Sequence, residues 1–221
     1  MKLAVLFSGG KDSCLALHKV LEEGHEVKYL LNIFPETKDS FMFHKPDLKL
    51  LEKQAEMLGI KLIVVKSKGE KEKELVDLKK LISKVSEEVE GIVVGGIASD
   101  YQGSRVKNIC DELGLKFIAP VLGYDSSKLW TEMLDVGFKV IITKISCEGL
   151  DSSWIGKAIT RKEYEKLREL GKKYKFRIDF EGGEAETAVL WMPEMKKEIK
   201  IEFEIESEDK YRHFIRLINI K

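Results

Sequence analysis

Six consecutive residues near the amino terminus, Ser8-Gly9-Gly10-Lys11-Asp12-Ser13, carry the groups needed to hold a polyphosphate. Glycines let backbone N–H groups come close to an anion, and the start of a following helix adds partial positive charge. Ser8 and Ser13 offer hydroxyl donors, Lys11 a neutralising ammonium, and Asp12 a carboxylate able to hold a Mg²⁺ that bridges phosphates. The segment is not the mononucleotide P-loop, because Val5 stands where that motif needs its first glycine and Asp12 where it needs Ser or Thr. It is not the dinucleotide fingerprint either, whose third glycine would fall near Ser13. The same residues also read as a plain glycine turn with Asp12 or Ser13 capping a helix.

What decides between these readings is the element on each side. Residues 3–7 form an apolar run, and residues 13–23 place Ala16, Leu17, Val20 and Leu21 on one helical face, so the order is strand, loop, helix. The pattern repeats: strands at 27–34, 62–66, 91–94 and 117–118, helices at 45–58, 72–85 and 104–113. Apolar strands alternating with helices predict a parallel sheet covered on both faces, the doubly wound, Rossmann-like α/β architecture, in which phosphate sits where the first strand meets its helix. After Pro120 the rhythm changes to a helix at 127–136, a strand at 139–145 and a helix at 162–173. Ile199, Ile201, Phe203 and Ile205 then alternate with Lys200, Glu202, Glu204 and Glu206, the period of a half-exposed antiparallel strand, with a last strand at 211–220. The expected organisation is therefore a doubly wound, phosphate-holding domain at 1–120 and a smaller α+β domain at 121–221.

The hexapeptide in this setting resembles the pyrophosphate-binding motif of the N-type ATP pyrophosphatases, the PP-loop superfamily with the adenine nucleotide alpha hydrolase type of fold, which cleaves ATP between its α and β phosphates. Three further segments narrow the resemblance: Asp39-Ser40-Phe41-Met42-Phe43-His44; Ser99-Asp100-Tyr101-Gln102 with Arg105-Val106; and Glu181-Gly182-Gly183-Glu184-Ala185-Glu186-Thr187. With residues 137–157 they are similar, over nearly the whole chain, to the diphthine-ammonia ligase (diphthamide synthase) family. That resemblance implies ATP-dependent amidation of diphthine, a modified histidine on translation elongation factor 2, with ammonium as the nitrogen source and AMP and pyrophosphate as products. It also implies catalytic roles for Lys11, Asp12 and Asp100, ATP and Mg²⁺ as cofactors with Asp12 as the metal ligand, and substrate contacts at His44, Tyr101, Gln102, Arg105, Gly182, Gly183, Glu184, Glu186 and Thr187. Two departures stand out. Ala185 replaces the aromatic residue usual between the two glutamates, and Arg177-Ile178-Asp179-Phe180 replaces the usual cysteine-glycine pair.

Each of these residues also has a plainer reading. Glu184 and Glu186 read as surface loop carboxylates, Asp100 as a helix cap, and His44, beside Pro46, as a structural histidine. Two other functions remain open: an ATP pyrophosphatase acting on another carboxylate or a tRNA base, and a module that senses ATP or AMP without turnover. Cys14, Cys110 and Cys147 are an odd number with no C-x-x-C spacing, against a disulfide framework, a cysteine metal site or sulfur transfer, and in keeping with a reducing cytoplasm. Thirty-eight basic and thirty-eight acidic residues leave no net field to draw the protein to nucleic acid, and no apolar stretch approaches the ~20 residues of a membrane span. A charged fraction of 34% with two glutamines and three asparagines leans toward a heat-adapted source.

Overall fold

The computed structural model describes residues 1–35, 47–67, 71–96 and 100–221, without the side chains of 71–73 and 100–102. The chain divides into two compact units, one of Met1–Ser8 with Asp12–Leu122, the other of Gly9–Lys11 with Gly123–Lys221.

In the first unit, strands β1 (Lys2–Leu6), β2 (Glu26–Pro35), β3 (Lys61–Ser67), β4 (Gly91–Val93) and β5 (Lys116–Ile118) form one sheet in the order β3-β2-β1-β4-β5. All four pairings are parallel. Helices α1 (Lys11–Glu22), α2 (Leu48–Leu58), α3 (Lys71–Ser83) and α4 (Asp100–Glu112) connect the strands. The doubly wound sheet expected from the apolar strand–helix alternation is therefore present. One core holds Ala4, Leu31 and Ile92 of the sheet against Leu78, Leu81, Ile82, Ile109 and Cys110 of the helices. The sequence pattern starts α2 at residue 45, but the described helix starts at Leu48, because the Asp47 carboxylate accepts from Leu50 N–H and so caps it there. Its other end closes at Gly59, whose left-handed backbone (φ 69°) suits glycine. α4 begins four residues earlier than its periodicity suggests, taking in Gly103.

Because β1, β2 and β3 run one way across the sheet and β4 lies on the far side of β1, the order reverses between β1 and β4. In open α/β sheets the crevice at such a switch point, beyond the carboxyl ends of the strands, is where ligands bind. The loops after β1 and β4 meet at that position.

The second unit holds α5 (Ser126–Val136), β6 (Lys139–Ser146), a 3-10 turn at Ser152–Trp154, α6 (Arg161–Tyr174), β7 (Ala185–Trp191), β8 (Ile201–Ser207) and β9 (Arg212–Ile220). Its four-stranded antiparallel sheet has the order β7-β6-β9-β8. Trp130, Met133, Ile141, Ile142, Leu167, Val189, Met192 and Ile199 are fully enclosed and form its core. The alternation at 199–206 gives β8 one apolar and one charged row, the latter with Glu204 and Glu206 paired to Arg216 and Glu202 to Lys221. β7 is an element the sequence pattern did not disclose: Glu186, which also read as a surface loop carboxylate, lies in a strand that opens at Ala185 and runs on through Ala188, Val189 and Leu190.

Candidate active site

The hexapeptide occupies the turn from β1 into α1, at the switch point. Gly9 has φ 73°, a left-handed conformation that bends the chain sharply and that glycine adopts at little cost. α1 begins at Lys11, so the amino-terminal end of the helix, with its partial positive charge, lies in the loop itself. Ser8 N–H donates to Ser13 Oγ at 3.3 Å, and the two serine hydroxyls share a hydrogen bond of 3.2 Å. Ser8 is exposed, Gly10 and Asp12 are half-buried, and Gly9, Lys11 and Ser13 are buried. A turn that brings two serine hydroxyls together at the start of a helix is suited to an anion. Asp12 adds one carboxylate, and Mg²⁺ characteristically takes one or two carboxylates, completing its octahedron with phosphate oxygens and water. The donor set therefore fits a magnesium polyphosphate.

A residue not singled out in the sequence keeps this turn compact. A Cβ on Gly95, in the loop after β4, would lie 2.6 Å from the Asp12 carbonyl carbon and 2.6 Å from the Ser13 nitrogen. Only glycine allows the β4 loop to lie against the first turn of α1. The signal was available, since Gly95-Gly96 follows directly on the apolar strand 91–94.

In the second unit, Gly9–Lys11 is bound to β7. Val189 N–H donates to the Gly9 carbonyl at 3.0 Å, and Lys11 N–H donates to Thr187 Oγ1 at 3.1 Å. Thr187 thus does for the Lys11 N–H what an N-cap side chain ordinarily does for a helix start. Having accepted that bond, its hydroxyl keeps its own proton to donate. Lys11 Nζ stands 6.0 Å from the ring centre of Phe180.

The acidic-glycine segment is built on its own hydrogen bonds. Glu184 accepts from Arg177 N–H at 3.1 Å and Gly182 N–H at 2.9 Å, closing the loop that leads into β7. Gly183 has φ 83° and its N–H donates to the Phe180 carbonyl. Phe180 itself is left-handed (φ 61°), an uncommon conformation for an aromatic residue. Asp179 explains how it is held: its carboxylate takes two bonds from the Arg177 guanidinium, one from Ser126 Oγ and one from Glu181 N–H. Burial would push the Asp179 carboxyl up, but these bonds and the Arg177 charge outweigh it and hold the group below its ordinary value. Trp130 Nε1 donates to the Ile178 carbonyl at 2.6 Å, and its ring meets Phe180 edge-on. The segment 177–180 is therefore tied by hydrogen bonds to Ser126 and Trp130 on one side and to Glu181 and Gly183 on the other. Glu186 pairs with Lys144, its cross-strand neighbour, at 3.1 Å.

The remaining sequence candidates fall as follows. Asp100, Tyr101, Gln102 and Arg105 lie in the first half of α4, with the side chains of the first three outside the described residues. His44 lies outside them altogether. None of the three cysteines is in a disulfide, and Cys14 and Cys110 are buried in helices. Burial and then Asp111 push the Cys110 thiol up to about 11. Burial and then Glu184 do the same to Cys147, against one lowering backbone bond. Neither supplies much thiolate at neutral pH. Among the described residues no cluster of three or more His, Cys, Asp or Glu side chains is placed to hold a metal, and no helix is long and apolar enough to cross a membrane.

Residues 1–117 match the model of the diphthamide synthase N-terminal domain, and residues 125–221 that of the C-terminal domain. The diphthine–ammonia ligase of Mus musculus is 34% identical over 91% of this chain and 83% of its own length, and that of Homo sapiens matches to the same extent. Among solved structures, a predicted subunit of tRNA methyltransferase from Methanocaldococcus jannaschii superposes with a TM-score of 0.47 at 19% identity, covering 90% of this chain and 99% of that one, a likeness too distant to carry an argument.

Proposed function

This chain belongs to the diphthamide synthase family, and from that premise we propose that it joins ammonium to the carboxylate of diphthine on translation elongation factor 2, with ATP converted to AMP and pyrophosphate. The order of chemistry follows from the leaving groups. Ammonia does not displace oxide from a carboxylate, whereas AMP departs readily, so activation by ATP precedes amide formation.

The observation that carries the reading is the loop of residues 8–13 at the sheet's switch point, with its serine pair, its left-handed Gly9 and the backbone of Asp12 and Ser13 packed against Gly95. In this reading Ser8, Gly9, Gly10, Lys11 and Ser13 hold the phosphates of ATP, and Asp12 holds the magnesium ion. Bound there, Mg²⁺ supplies charge neutralisation for the phosphates. Lys11 and Asp100 stabilise charge during activation, and Arg105 of α4 is assigned to the substrate. The division of labour assigns ATP to residues 1–120 and the modified factor to 121–221.

Gly182, Gly183, Glu184, Glu186 and Thr187, with His44, Tyr101 and Gln102, are assigned to the substrate. Diphthine carries a trimethylammonium group, which carboxylates attract. The Glu186–Lys144 pair is half-exposed, and ion pairs of that kind contribute little, so a substrate cation can compete for Glu186. Glu184, bonded to two backbone N–H groups, shapes the loop that presents it. Cysteines outside any disulfide and a substrate on the translation machinery support a cytoplasmic location.

The test is AMP release from ATP by purified protein. The reading requires AMP only when diphthine-bearing elongation factor 2 and ammonium are both supplied. AMP formation with tRNA in their place, or ATP binding without any turnover, would replace it with one of the other two functions.

A further inference from the structure

β2 is an apolar strand with one interruption. Tyr29, Leu30, Leu31 and Ile33 are buried hydrophobic residues, and between them Asn32 is 6% exposed. Its side-chain Nδ2 donates to the Phe7 carbonyl at 2.8 Å. A carbonyl only accepts, so the amide nitrogen and not the oxygen must face it. The Asn32 Oδ1 on the other side is enclosed and has no hydrogen-bond partner among the described residues. Burying such an oxygen costs free energy that an aliphatic side chain in the same place would not.

The bond is made at the point where β1 gives way to the loop. Phe7 N–H still donates to the Leu31 carbonyl at 2.8 Å, as the last rung of the β1–β2 pairing. The Phe7 carbonyl belongs to the same planar peptide unit as the Ser8 N–H. That N–H is taken by Ser13 Oγ. The plane is therefore gripped at both ends, its oxygen by β2 and its nitrogen by α1. Once it is set, the direction in which Ser8 and Gly9 leave the strand is set too.

We infer that Asn32 is a positioning residue for the phosphate loop, orienting the Phe7–Ser8 peptide so that Ser8 and Ser13 stand ready for the phosphates of ATP. The inference rests on the proposed role of the loop. Without the amide, the Phe7 carbonyl has to find a loop N–H or turn toward solvent, and either choice moves Ser8.

The experiment is calorimetric titration of the full-length protein with Mg-ATP, beside thermal melting, for wild type, Asn32→Leu and Asn32→Ala. Leucine has nearly the shape of asparagine, and removing the enclosed oxygen offsets part of the lost bond, so its melting temperature should stay close to that of wild type. The Kd for Mg-ATP should rise fivefold or more in both variants with the stoichiometry unchanged. A merely structural role would instead lower the stoichiometry, by reducing the folded fraction, and leave the Kd of the folded molecules alone. Unchanged Kd, or two variants unfolded at the assay temperature, would overturn the inference while wild type still binds. Failure of wild type itself to bind Mg-ATP would overturn the reading on which it rests.

Discussion

Asp12 is the one carboxylate in a loop otherwise made of donors, so its charge is the feature to remove first. Asparagine keeps its size and its ability to cap a helix start, which should confine the loss of stability to about 1 kcal/mol or less. We expect Asp12→Asn to lower AMP formation by roughly 100-fold or more, the scale seen when a group stabilising transition-state charge is lost. Near-normal turnover by the folded variant would remove Asp12 from the metal site. A second carboxylate gives a prediction about acid stability. Glu163, buried at the start of α6, accepts from the Thr160 hydroxyl and from Lys157 at 3.0 Å, and these contacts bring its pKa down from 4.5 to about 2. A depressed carboxylate stabilises the fold fully above its unfolded pKa and loses that contribution as pH falls through the folded one. Melting curves should therefore show Glu163→Gln less stable than wild type at neutral pH. The gap should close between about pH 4.5 and about 2, and a constant gap across that range would contradict the assignment.

Elements were legible wherever their determinants were local. The β1–loop–α1 order followed from an apolar run, two glycines and a helical face, and β8 followed from four isoleucine and phenylalanine positions alternating with charge. What escaped depended on distant partners. β7 was hidden because its first residues belong to a segment whose glycines and glutamates read as loop, and its pairing with β6 joins Ala185 to Ile145 across forty residues of sequence. Asn32 was hidden because one polar residue in an apolar strand says nothing about which carbonyl it meets. Gly95 was visible as a glycine but not as a contact, since the backbone it touches is more than eighty positions earlier. Gly95→Ala should force α1 away from the β4 loop, since the nearest neighbours of the new methyl are backbone atoms of Asp12 and Ser13, which cannot swing aside. Overpacking of this kind costs about 1–3 kcal/mol. The expected outcome is a lower melting temperature together with weaker Mg-ATP binding, and a variant with wild-type affinity would show that the loop tolerates displacement at this end.

At the scale of the whole molecule, the second unit is discontinuous in the chain, since it takes in Gly9–Lys11 from near the amino terminus. Amide hydrogen exchange should register this directly. The Lys11 amide, bonded to Thr187, should exchange in step with the neighbouring Val189 amide, because both are released by the same opening event. Exchange of Lys11 at the rate of an exposed loop, with Val189 still protected, would show that the bond does not persist in solution. The same bond has a consequence for how the protein is made. Its two residues are separated by 176 positions, and at about 5–20 residues per second the ribosome needs roughly 10–35 s to travel from one to the other. Throughout that interval the nascent chain carries the hexapeptide without Thr187 or Val189 to receive it. A chain that stalls before β7 emerges can therefore display the motif, but not the bonded loop.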